Sequence, residues 1–462
     1  MAIIEVNKTA YESKRILIVG LAKSGIAVAS VLKSLKADVT ITDLQKREAL
    51  ENLINEAVSY VDDFILGEMP KTISGFDLII MSPGVPMTIA LVKEARELKI
   101  PVIGEIELAY RLCKGYFIGI TGTNGKTTTT SLVGEIFKKA SREHHVVGNI
   151  GIPAISKALE TTTETAMITE LSSFQLESIE TFRAHIAAII NITPDHLNRH
   201  KTMENYILAK ARVFENQGPE DFLILNADDP ELVALAPRAN GRVVWFSREK
   251  ALPEGAFIQD GFFCMAWEGT VHCIAPVTSL FIPGKHNIQN ALVAMTIAFL
   301  SNIEATIIEE TFCSFKGVAH RVAYIDTIDN RVFYNDSKGT NPDATICAIE
   351  AMVKPTVLIA GGMDKGSDFS DVAKIMSGKV KALILLGETK LALKREAEKV
   401  GIEHIVLVED MEQAVNTAYD VSEQGDAILL SPACASWDMY ADFEARGAHF
   451  ETCVKALKLR RQ

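Results

Sequence analysis

The sequence lacks the features that would direct a chain into a membrane or out of the cell. None of its apolar runs is long enough to span a bilayer, and its start, Met-Ala-Ile-Ile-Glu-Val, lacks the basic region and apolar stretch of a signal peptide. It also has no low-complexity tract and no short-period repeat. We therefore expect a soluble, cytoplasmic protein with no membrane partner.

Positive charge and paired cysteines are scarce as well. Lys and Arg number 47 against 59 Asp and Glu, and the net charge of -12 argues against a nucleic-acid partner. An anionic substrate is not excluded, because a local basic site can coexist with an acidic surface.

The seven cysteines are scattered without a Cys-x-x-Cys pair, so the sequence indicates neither a zinc site nor a disulfide framework.

The most informative motif is Gly-Ile-Thr-Gly-Thr-Asn-Gly-Lys-Thr-Thr at residues 119–128. A strand pattern precedes it and a helical pattern follows, and strand, glycine loop and helix form the arrangement that cradles phosphates. We expect Lys126 to contact nucleotide phosphates and Thr127 to join a Mg²⁺ shell. Ile120 stands where the usual P-loop pattern has its first glycine, so the loop is a variant. The alternative is a glycine-rich turn with an ordinary surface lysine.

A second glycine loop, Gly20-Leu21-Ala22-Lys23-Ser24-Gly25, follows the first strand pattern of the chain. It resembles a dinucleotide-binding fingerprint with alanine at the second glycine, and Asp43 at the end of the next strand fits a polar contact to a ribose or base. The loop at residues 82–86 follows another strand and belongs to the same ligand-binding edge of the predicted sheet. The alternative is a tight strand–helix turn that binds nothing.

The order of such units predicts the fold class and the domains. Strand and helix patterns alternate over most of the chain, which predicts an α/β protein with mostly parallel sheets. We expect a Rossmann-like N-terminal domain at residues 1–108, a central P-loop ATPase-like domain at 109–318 and a C-terminal Rossmann-like domain at 319–462. Short apolar runs between turns at 241–282 predict a small β-rich insertion.

Acidic and histidine side chains follow two strands of the central domain. Glu170 ends the strand pattern that begins at Met167, which is where a metal-binding acid beside a P-loop belongs. His196 follows the strand pattern at 187–192 and could ligate a metal or orient a ligand. The alternatives are a helix N-terminal charge and a structural histidine.

Lys210 lies among apolar residues on one predicted helical face with Tyr206 and Phe214. A charged lysine is costly to bury, so its pKa should fall and its amine should become reactive. Such an amine can take up CO₂ to form a carbamate, which is an oxygen ligand for Mg²⁺. The alternative is a lysine whose ammonium group reaches solvent.

Polar residues also follow the central domain's strands and open the last domain. Asn287 and Asn290 lie three residues apart near a helix start, where they suit a nucleobase edge or a capping role. Arg321 could neutralise phosphoryl charge. The loops at 335–342 and 361–366 place lysines and hydroxyls where an anionic substrate could lie, or they are simply turns.

Taken together, the motifs resemble the Mur ligase superfamily, the ATP-dependent amide ligases of peptidoglycan precursor synthesis, over nearly the whole chain. The motifs that carry the resemblance are at residues 121–127, 170–175, 191–196, 284–287 and 320–321. The segments 335–341 and 431–438, with Phe443, Arg446 and Gly447, are similar to the branch of the family that adds D-glutamate. Trp437 stands where leucine is commoner in that branch.

The resemblance implies an ADP-forming ligase that joins D-glutamate to UDP-N-acetylmuramoyl-L-alanine through an acyl phosphate, as a monomer. It implies that ATP is bound by Gly122, Thr123, Asn124, Gly125, Lys126, Thr127, Thr128, Asn287, Asn290, Arg321 and Asp336. It implies that the UDP-substrate is bound by Lys23, Ser24, Asp43, Gly84, Asn149 and His196. D-Glutamate would be bound by Lys338, Thr340, Lys365, Ser436 and Phe443.

The resemblance also assigns the catalytic and metal-binding residues. Two Mg²⁺ ions would be held by Thr127, Glu170, His196 and a carbamate on Lys210. The catalytic residues would be Lys126, Glu170, His196 and Lys210.

Three other functions remain as alternatives. A folylpolyglutamate synthase shares the fold and ligates glutamate, but it gives no reason for the first glycine loop and Asp43. An NAD-dependent dehydrogenase would use that loop but would leave Glu170 and Lys210 without a role. A non-catalytic nucleotide sensor would keep Lys126 but would need no cluster of Glu170, His196 and Lys210.

Overall fold

The computed structural model describes residues 8–364 and 366–461. In the first of these ranges, an N-terminal sheet consists of five strands: β1 (Arg15–Val19), β2 (Asp38–Asp43), β3 (Asp63–Leu66), β4 (Leu78–Met81) and β5 (Val102–Gly104). They are all parallel, in the order β3-β2-β1-β4-β5. The helices of this region are α1 (Lys23–Ser34), α2 (Glu51–Ala57), α3 (Ala90–Glu97) and α4 (Glu105–Leu112), with 3-10 turns at Lys8–Tyr11 and Arg47–Ala49.

The apolar run of β1 explains its central place in this sheet. Ile16 and Ile18 pack into one hydrophobic cluster, and Leu17 and Val19 pack into another on the opposite face. A strand that is covered on both faces has no need for alternating polar residues. The strand order reverses between β1 and β4, so the loops after these two strands border the crevice in which such sheets bind ligands.

The central sheet joins a parallel part to an antiparallel part. Its strands, counted over the described residues, are β6 (Tyr116–Thr121), β7 (His144–Gly148), β8 (Ala166–Glu170), β9 (Ala184–Ile189), β10 (Phe222–Asn226), β11 (Arg242–Ser247), β12 (Gly255–Gln259), β13 (Phe262–Trp267) and β14 (Thr270–Pro276). Their order is β14-β13-β12-β11-β10-β9-β6-β8-β7. The predicted β-rich segment extends one edge of this sheet, because β12, β13 and β14 pair antiparallel beyond β11.

Short and long helices connect the central strands. They are α5 (Lys126–Lys139), α6 (Ile155–Ala158), α7 (Ser173–Leu176), α8 (Leu197–His200), α9 (Met203–Ala211), α10 (Pro230–Leu235), α11 (Lys285–Leu300) and α12 (Ala305–Ser314), with 3-10 turns at Arg212–Phe214, Ala236–Arg238 and Val277–Ser279. The predicted helical face from Tyr206 to Phe214 extends too far, because α9 ends at Ala211 and the chain tightens into a 3-10 turn. Phe214 is nevertheless buried.

The C-terminal sheet is again mainly parallel. Its strands within the described ranges are β15 (Ala323–Ile328), β16 (Arg331–Asn335), β17 (Thr356–Ala360), β18 (Val380–Leu385), β19 (Ile405–Leu407) and β20 (Ala427–Leu430). Their order is β15-β16-β20-β17-β18-β19, and β15 is the antiparallel edge strand. The helices are α13 (Pro342–Ala351), α14 (Ser370–Met376), α15 (Lys390–Lys399), α16 (Met411–Val421) and α17 (Phe443–Arg461).

The predicted fold class, an α/β protein of three domains with mostly parallel sheets, is confirmed. The chain divides into two compact units, one that runs up to Val277 and includes Gln289–Thr311, and one formed by Thr278–Ile288 and the chain from Phe312 onwards. The first two sheets belong to the first unit and the C-terminal sheet to the second. The domain boundaries near residues 108 and 318 stay predictions. No helix among the described residues is both long and apolar enough to cross a membrane.

Candidate active site

The glycine loop of the central sheet joins β6 to α5. Gly122 and Gly125 have φ angles of 145° and 85°, which glycine adopts without the steric cost of a side chain. Gly125 is the N-cap residue of α5, and no side chain in the described part of the chain caps this helix. The first N–H groups of α5 can therefore donate to an anion.

Two lysines donate to this loop through one shared carbonyl oxygen. Lys126 Nζ donates to the carbonyl oxygens of Gly122 and Thr123 at 3.0 and 2.7 Å, and Lys210 Nζ donates to that of Gly122 at 2.7 Å. The Lys210 side chain is buried, with 2% of the residue exposed, which rules out the alternative of an ammonium group that reaches solvent. Burial, and then the neighbouring Lys126 charge, lowers the pKa of Lys210 well below its ordinary value.

Tyr206 connects Lys210 to the same loop. The Lys210 Nζ lies 4.7 Å from the centroid of the Tyr206 ring. The Tyr206 hydroxyl shares a hydrogen bond of 3.1 Å with the Thr123 Oγ1. Burial raises the pKa of Tyr206 to about 12, so the phenol keeps its proton and serves the loop as a hydrogen-bonding group.

Asn191, just beyond β9, fixes the exposed side of the loop. Its Oδ1 accepts from the Asn124 N–H at 2.9 Å, its Nδ2 donates to the Asn124 carbonyl at 3.1 Å, and its own carbonyl accepts from the Thr123 N–H at 3.0 Å. A neutral amide thus satisfies loop donors and acceptors without adding charge. Asn191 belongs to the sequence motif at residues 191–196, but no local pattern predicts this role.

Glu170 keeps one carboxylate oxygen without a partner. Its Oε1 accepts from the Asn149 Nδ2 at 2.8 Å, and its carbonyl accepts from the Asn149 N–H at 2.9 Å. The Oε2 is buried and has no hydrogen-bond partner among the described residues. A buried, unpaired carboxylate oxygen is costly unless a cation or donor meets it there. The Glu170 Oε2 and the hydroxyl of the buried Thr127 are hard oxygen ligands, which fit Mg²⁺.

The acidic ligands near the loop are few. No group of three or more His, Cys, Asp or Glu side chains in the described ranges could hold a metal ion by itself. Mg²⁺ commonly keeps several waters and binds one or two carboxylates together with substrate phosphates. The residues present therefore fit a Mg²⁺ that arrives with a nucleotide better than a permanently caged ion.

His196 and Lys210, which were expected to share a metal ion, are not in contact in the described structure. The His196 Nε2 lies 3.3 Å from an Asp195 carboxylate oxygen, and its half-exposed ring packs 4.9 Å from Phe174. His200, for which no sequence pattern predicts a role, is buried in this segment. Its Nε2 shares a hydrogen bond of 2.9 Å with the Ser173 Oγ.

Asn290 lies against the glycine loop of the central sheet. A Cβ atom on Gly125 would come within 2.2 Å of the Asn290 Oδ1, so the glycine leaves the space that this amide fills. Thr128 is buried in the first turn of α5. Both residues were predicted to bind ATP, and both lie at this loop.

The N-terminal glycine loop is arranged around Asp43. The Asp43 Oδ2 accepts from the Leu21 N–H and its Oδ1 from the Gln45 N–H, each at 2.9 Å. Gly20 has a φ of 104°, and the Ser82 Oγ donates to its carbonyl at 3.1 Å, which joins the two loops of the crevice. Asp43 therefore has a structural task besides any contact with a ligand.

Other predicted residues of this crevice lie on its surface. Lys23 and Ser24 are the first two residues of α1, where no side chain among those described caps the helix. Gly84 is exposed, and nothing in the described structure lies within 4 Å of the position that a Cβ atom would take there.

In the C-terminal unit, Asp336 is a buried carboxylate. Its Oδ2 accepts from the Ser431 Oγ at 2.7 Å, and its Oδ1 accepts from the Val322 N–H at 3.2 Å. Burial raises the pKa of Asp336 to about 7, although the nearby Arg321 opposes this shift. The Arg321 Nε is buried without a hydrogen-bond partner in the described ranges, so this guanidinium has a donor left for a ligand. Asn287 in the same unit donates from Nδ2 to the Pro283 carbonyl at 2.6 Å.

Residues predicted to bind D-glutamate lie near the start of α17. Lys338 Nζ lies 5.5 Å from the centroid of the Phe443 ring. Thr340 N–H donates to the Lys338 carbonyl at 2.8 Å. Ser436 is buried, and its carbonyl accepts from the Tyr440 N–H at 2.8 Å. Lys365 lies outside the described residues.

Arg446 holds these segments together, although the sequence analysis gave it no role. Its Nη1 donates to the carbonyls of Cys434 and Ala435 at 3.1 and 3.2 Å. Its Nη2 donates to the Ser337 carbonyl at 2.8 Å, and its Nε to the Ser337 Oγ at 3.0 Å. Desolvation lowers the pKa of Arg446 to about 10. A buried arginine so close to both loop segments could have been suspected from its place in the terminal motif.

Comparison with known proteins accounts for all three sheets. The profile of the Mur ligase MurD-like N-terminal domain matches residues 14–104, that of the Mur ligase middle domain matches 120–298, and that of the Mur ligase, glutamate ligase domain matches 320–434. The UDP-N-acetylmuramoylalanine--D-glutamate ligase of Alkaliphilus oremlandii (strain OhILAs) is 48% identical over 450 residues, which cover 97% of this chain and 99% of that protein. The enzyme of the same name from Clostridioides difficile (strain 630) is 45% identical over 449 residues, with 97% and 99% covered.

Solved structures agree with this at the level of the fold. UDP-N-acetylmuramate-alanine ligase MurC from Thermotoga maritima has a TM-score of 0.60 at 18% identity, and covers 96% of this chain and 100% of its own. MurF ligase from Thermotoga maritima in complex with ADP has a TM-score of 0.59 at 15% identity, with 97% and 99% covered. The predicted family is confirmed: the chain belongs to the Mur ligase family.

Proposed function

We propose that this chain is an ADP-forming ligase that adds D-glutamate to UDP-N-acetylmuramoyl-L-alanine in peptidoglycan precursor synthesis. The observation that carries the proposal is the pair of amines, Lys126 Nζ and Lys210 Nζ, on one loop carbonyl. The buried Glu170 carboxylate acts electrostatically on Lys210. The relatives that are 45% and 48% identical carry this activity in their names.

The phosphate loop is assigned to ATP. Lys126 donates to two loop carbonyls, and a phosphate can replace these as acceptors, so the ammonium group can turn toward the γ-phosphoryl group. The uncapped first N–H groups of α5 add further donors. Asn287, Asn290, Arg321 and Asp336 keep their predicted assignment to ATP.

Mg²⁺ is assigned to oxygen ligands beside the loop. Glu170, through its unpartnered Oε2, and the Thr127 hydroxyl would hold one ion, and His196 with a carbamate on Lys210 would hold a second. When bound, Mg²⁺ offsets negative charge on the phosphate oxygens. The lowered pKa of Lys210 supports the carbamate, because only the neutral amine adds to CO₂.

The two remaining substrates are assigned to different loops. Lys23, Ser24, Asp43 and Gly84 are assigned to the UDP group of the substrate, Asn149 is assigned to its sugar-peptide part, and His196 is a further residue assigned to the same substrate. Lys338, Thr340, Lys365, Ser436 and Phe443 are assigned to D-glutamate, whose two carboxylates call for cations and hydroxyl donors. We further propose that the chain acts as a monomer in the cytoplasm, where ATP is available.

The chemistry follows from the poor leaving group of a carboxylate. Transfer of the γ-phosphoryl group of ATP to the L-alanine carboxylate gives an acyl phosphate and ADP. The amine of D-glutamate then attacks the carbonyl carbon, a proton is lost from nitrogen, and the tetrahedral intermediate expels phosphate. Lys126 offsets the repulsion between the anions that must meet in the first step.

The test is ADP release with Mg-ATP, UDP-N-acetylmuramoyl-L-alanine and D-glutamate, with each omitted in turn. Release that needs all three substrates and fails with L-glutamate is the expected result, because it establishes the reaction and its stereochemistry together. ADP release with a folate and L-glutamate would indicate a folylpolyglutamate synthase instead. No release with either set, together with ATP binding, would favour a nucleotide sensor.

A further inference from the structure

Arg199 lies three residues after His196 in sequence and contacts the loop at residues 82–86, and no substrate role has been assigned to it. Its Nη1 lies 3.3 Å from the Gly84 carbonyl oxygen, and its Nη2 lies 3.4 Å from that of Val85. The same Nη2 makes an ion pair of 2.6 Å with the Glu177 Oε2. Both the arginine and the glutamate are largely buried, with 17% and 20% of their side chains exposed.

A face of the Arg199 guanidinium packs on Phe174, in the segment that follows Glu170. Its central carbon lies 4.7 Å from the centroid of the Phe174 ring. Phe174 belongs to α7, whose N-cap Ser172 forms a capping box with Gln175 and so makes this turn rigid. The same ring contacts His196 at 4.9 Å. Arg199 thus connects the loop at residues 82–86 to the segment after Glu170.

The loop that Arg199 contacts is itself attached to the first glycine loop. The Ser82 Oγ donates to the Gly20 carbonyl at 3.1 Å, and a Cβ atom on Gly20 would lie 3.5 Å from a Val85 methyl group. The outer side of the loop is open, because nothing in the described structure lies within 4 Å of the Cβ position of Gly84. A ligand can therefore approach the loop at Gly84 while Arg199 holds the carbonyls of Gly84 and Val85.

We infer that Arg199 is a positioning residue for the UDP-substrate: it clamps the loop at residues 82–86 against the segment at 170–177. The inference rests on the proposed function, because it needs the UDP group in the N-terminal crevice. The planar guanidinium can serve two carbonyls, a carboxylate and an aromatic face together, and the single ammonium of a lysine cannot. The loop should then be ordered before the substrate binds, which lowers the entropic cost of binding.

The experiment compares Arg199→Lys with a matched arginine of the same region. Arg212 donates to the carbonyls of Leu176, Glu177 and Ile179 at 2.7–2.8 Å. Its remaining hydrogen bonds in the described structure go to Glu215. Arg212→Lys therefore perturbs the segment after Glu170 without touching the loop at residues 82–86.

Binding of UDP-N-acetylmuramoyl-L-alanine is measured by calorimetry without ATP, and KM is measured for all three substrates. Arg199→Lys should raise the Kd and the KM of the UDP-substrate about tenfold while the KM of ATP and of D-glutamate changes less than about twofold. Arg212→Lys should leave the Kd of the UDP-substrate within about twofold of wild type. A purely structural role would move all three KM values together.

Two other outcomes separate the inference from the proposed function. Unchanged binding of the UDP-substrate by Arg199→Lys, or an equal loss in Arg212→Lys, overturns the inference and leaves the proposed function standing. A wild-type chain that does not bind the UDP-substrate overturns the proposed function, and the inference falls with it. Arg199→Gln, which shortens the side chain and removes the charge, should weaken binding further than the lysine variant does.

Discussion

The two glycine loops of the first unit share a backbone plan but differ in the side chain that holds them. Each follows a buried parallel strand, β1 or β6, and leads into a helix that no described side chain caps. In the N-terminal loop, the Asp43 carboxylate accepts the Leu21 N–H. In the central loop, the Asn191 amide accepts the Asn124 N–H.

We expect this difference to affect which ligand each loop binds. A carboxylate in the wall disfavours a second anion beside it but accepts hydroxyl or amide protons, as a ribose or a base supplies them. The neutral amide leaves the positive field of Lys126 and the helix start intact for phosphates. We therefore propose that similar strand–loop–helix units acquire different specificity from one residue at, or just beyond, the end of the neighbouring strand.

Removal of the second amine should have the largest effect on the central loop. Lys210→Ala should lower turnover by about 10⁴-fold, because it removes both the proposed carbamate and the contact to Gly122. Added CO₂ should not restore the activity, and ADP release measures both results. Near-normal turnover in this variant would contradict the carbamate.

Lys126→Ala should have the second largest effect, a loss of about 10³-fold in kcat/KM. The loop then lacks the positive charge that stabilises the γ-phosphoryl group during its transfer. The matched variant in the other loop is Lys23→Ala, at the first residue of α1. It should raise the KM of the UDP-substrate and leave kcat nearly unchanged. Circular dichroism checks that both variants fold, and equal kinetic losses would show that the two loops do not differ as described.

Asn191→Asp transfers the carboxylate of one loop to the other. The variant should raise the KM of ATP by about 10²-fold, because a negative charge then lies beside the phosphates and the Nδ2 donor to the Asn124 carbonyl is lost. The KM of the UDP-substrate should stay near that of wild type. Initial rates at varied ATP test this, and an unchanged KM would mean that charge in the wall does not set specificity.

Asp43→Asn is the reciprocal change and should be milder. An asparagine has one carbonyl oxygen for the two N–H groups that Asp43 now accepts, so one of them loses its partner. The KM of the UDP-substrate should rise about tenfold, while the KM of ATP stays constant. A larger effect on ATP than on the UDP-substrate would refute the separate roles of the loops.

The last prediction concerns the free energy of unfolding and not the kinetics. It involves helix α4, which connects the N-terminal sheet to the central sheet. Burial raises the pKa of Glu105 to about 7, and its Oε2 has no partner among the described residues. The folded chain then holds this proton up to about pH 7, whereas the unfolded chain releases it near the model-peptide value of 4.5. Stability should therefore fall by up to about 3 kcal/mol as pH rises between these values.

Glu105→Gln should remove this fall, as measured by urea unfolding at pH 5 and pH 8. The matched residue on the same helix is Glu107, which accepts from the N–H groups of Glu180, Thr181 and Phe182 and from the Thr181 hydroxyl. Burial alone would raise its pKa, but these donors, with Arg111, lower it. Glu107→Gln should destabilise the chain by about 2–4 kcal/mol at both pH values, since it leaves buried donors unpaired.

Local patterns were enough to predict the α/β class and the strand, glycine loop and helix around Lys126, because these depend on neighbours in sequence, such as an apolar run before glycines. They left open whether Lys210 is buried or reaches solvent, and the folded chain shows that it is buried. The helix over Tyr206–Phe214 was predicted too long, because its last turn tightens into a 3-10 turn. No local signal marks where such a turn begins.

The roles of Asn191, Arg199, His200 and Arg446 needed the folded chain. Arg199 lies 115 residues from Gly84, and Arg446 lies 109 residues from Ser337, so their contacts form only after the sheets are assembled. Which histidine is buried, His200 rather than His196, likewise depends on packing against Phe174 and Ser173.

The order of motifs along the chain is enough to establish the family and the chemistry, because glycines, a lysine and an acid at strand ends are sequence properties. The amide or carboxylate that tunes each loop, the second lysine on Gly122 and the arginine clamp are products of tertiary packing. Side chains that are far apart in sequence meet only where parallel strands end at the same sheet edge. We propose that charge and burial at that edge then set which substrate each loop holds.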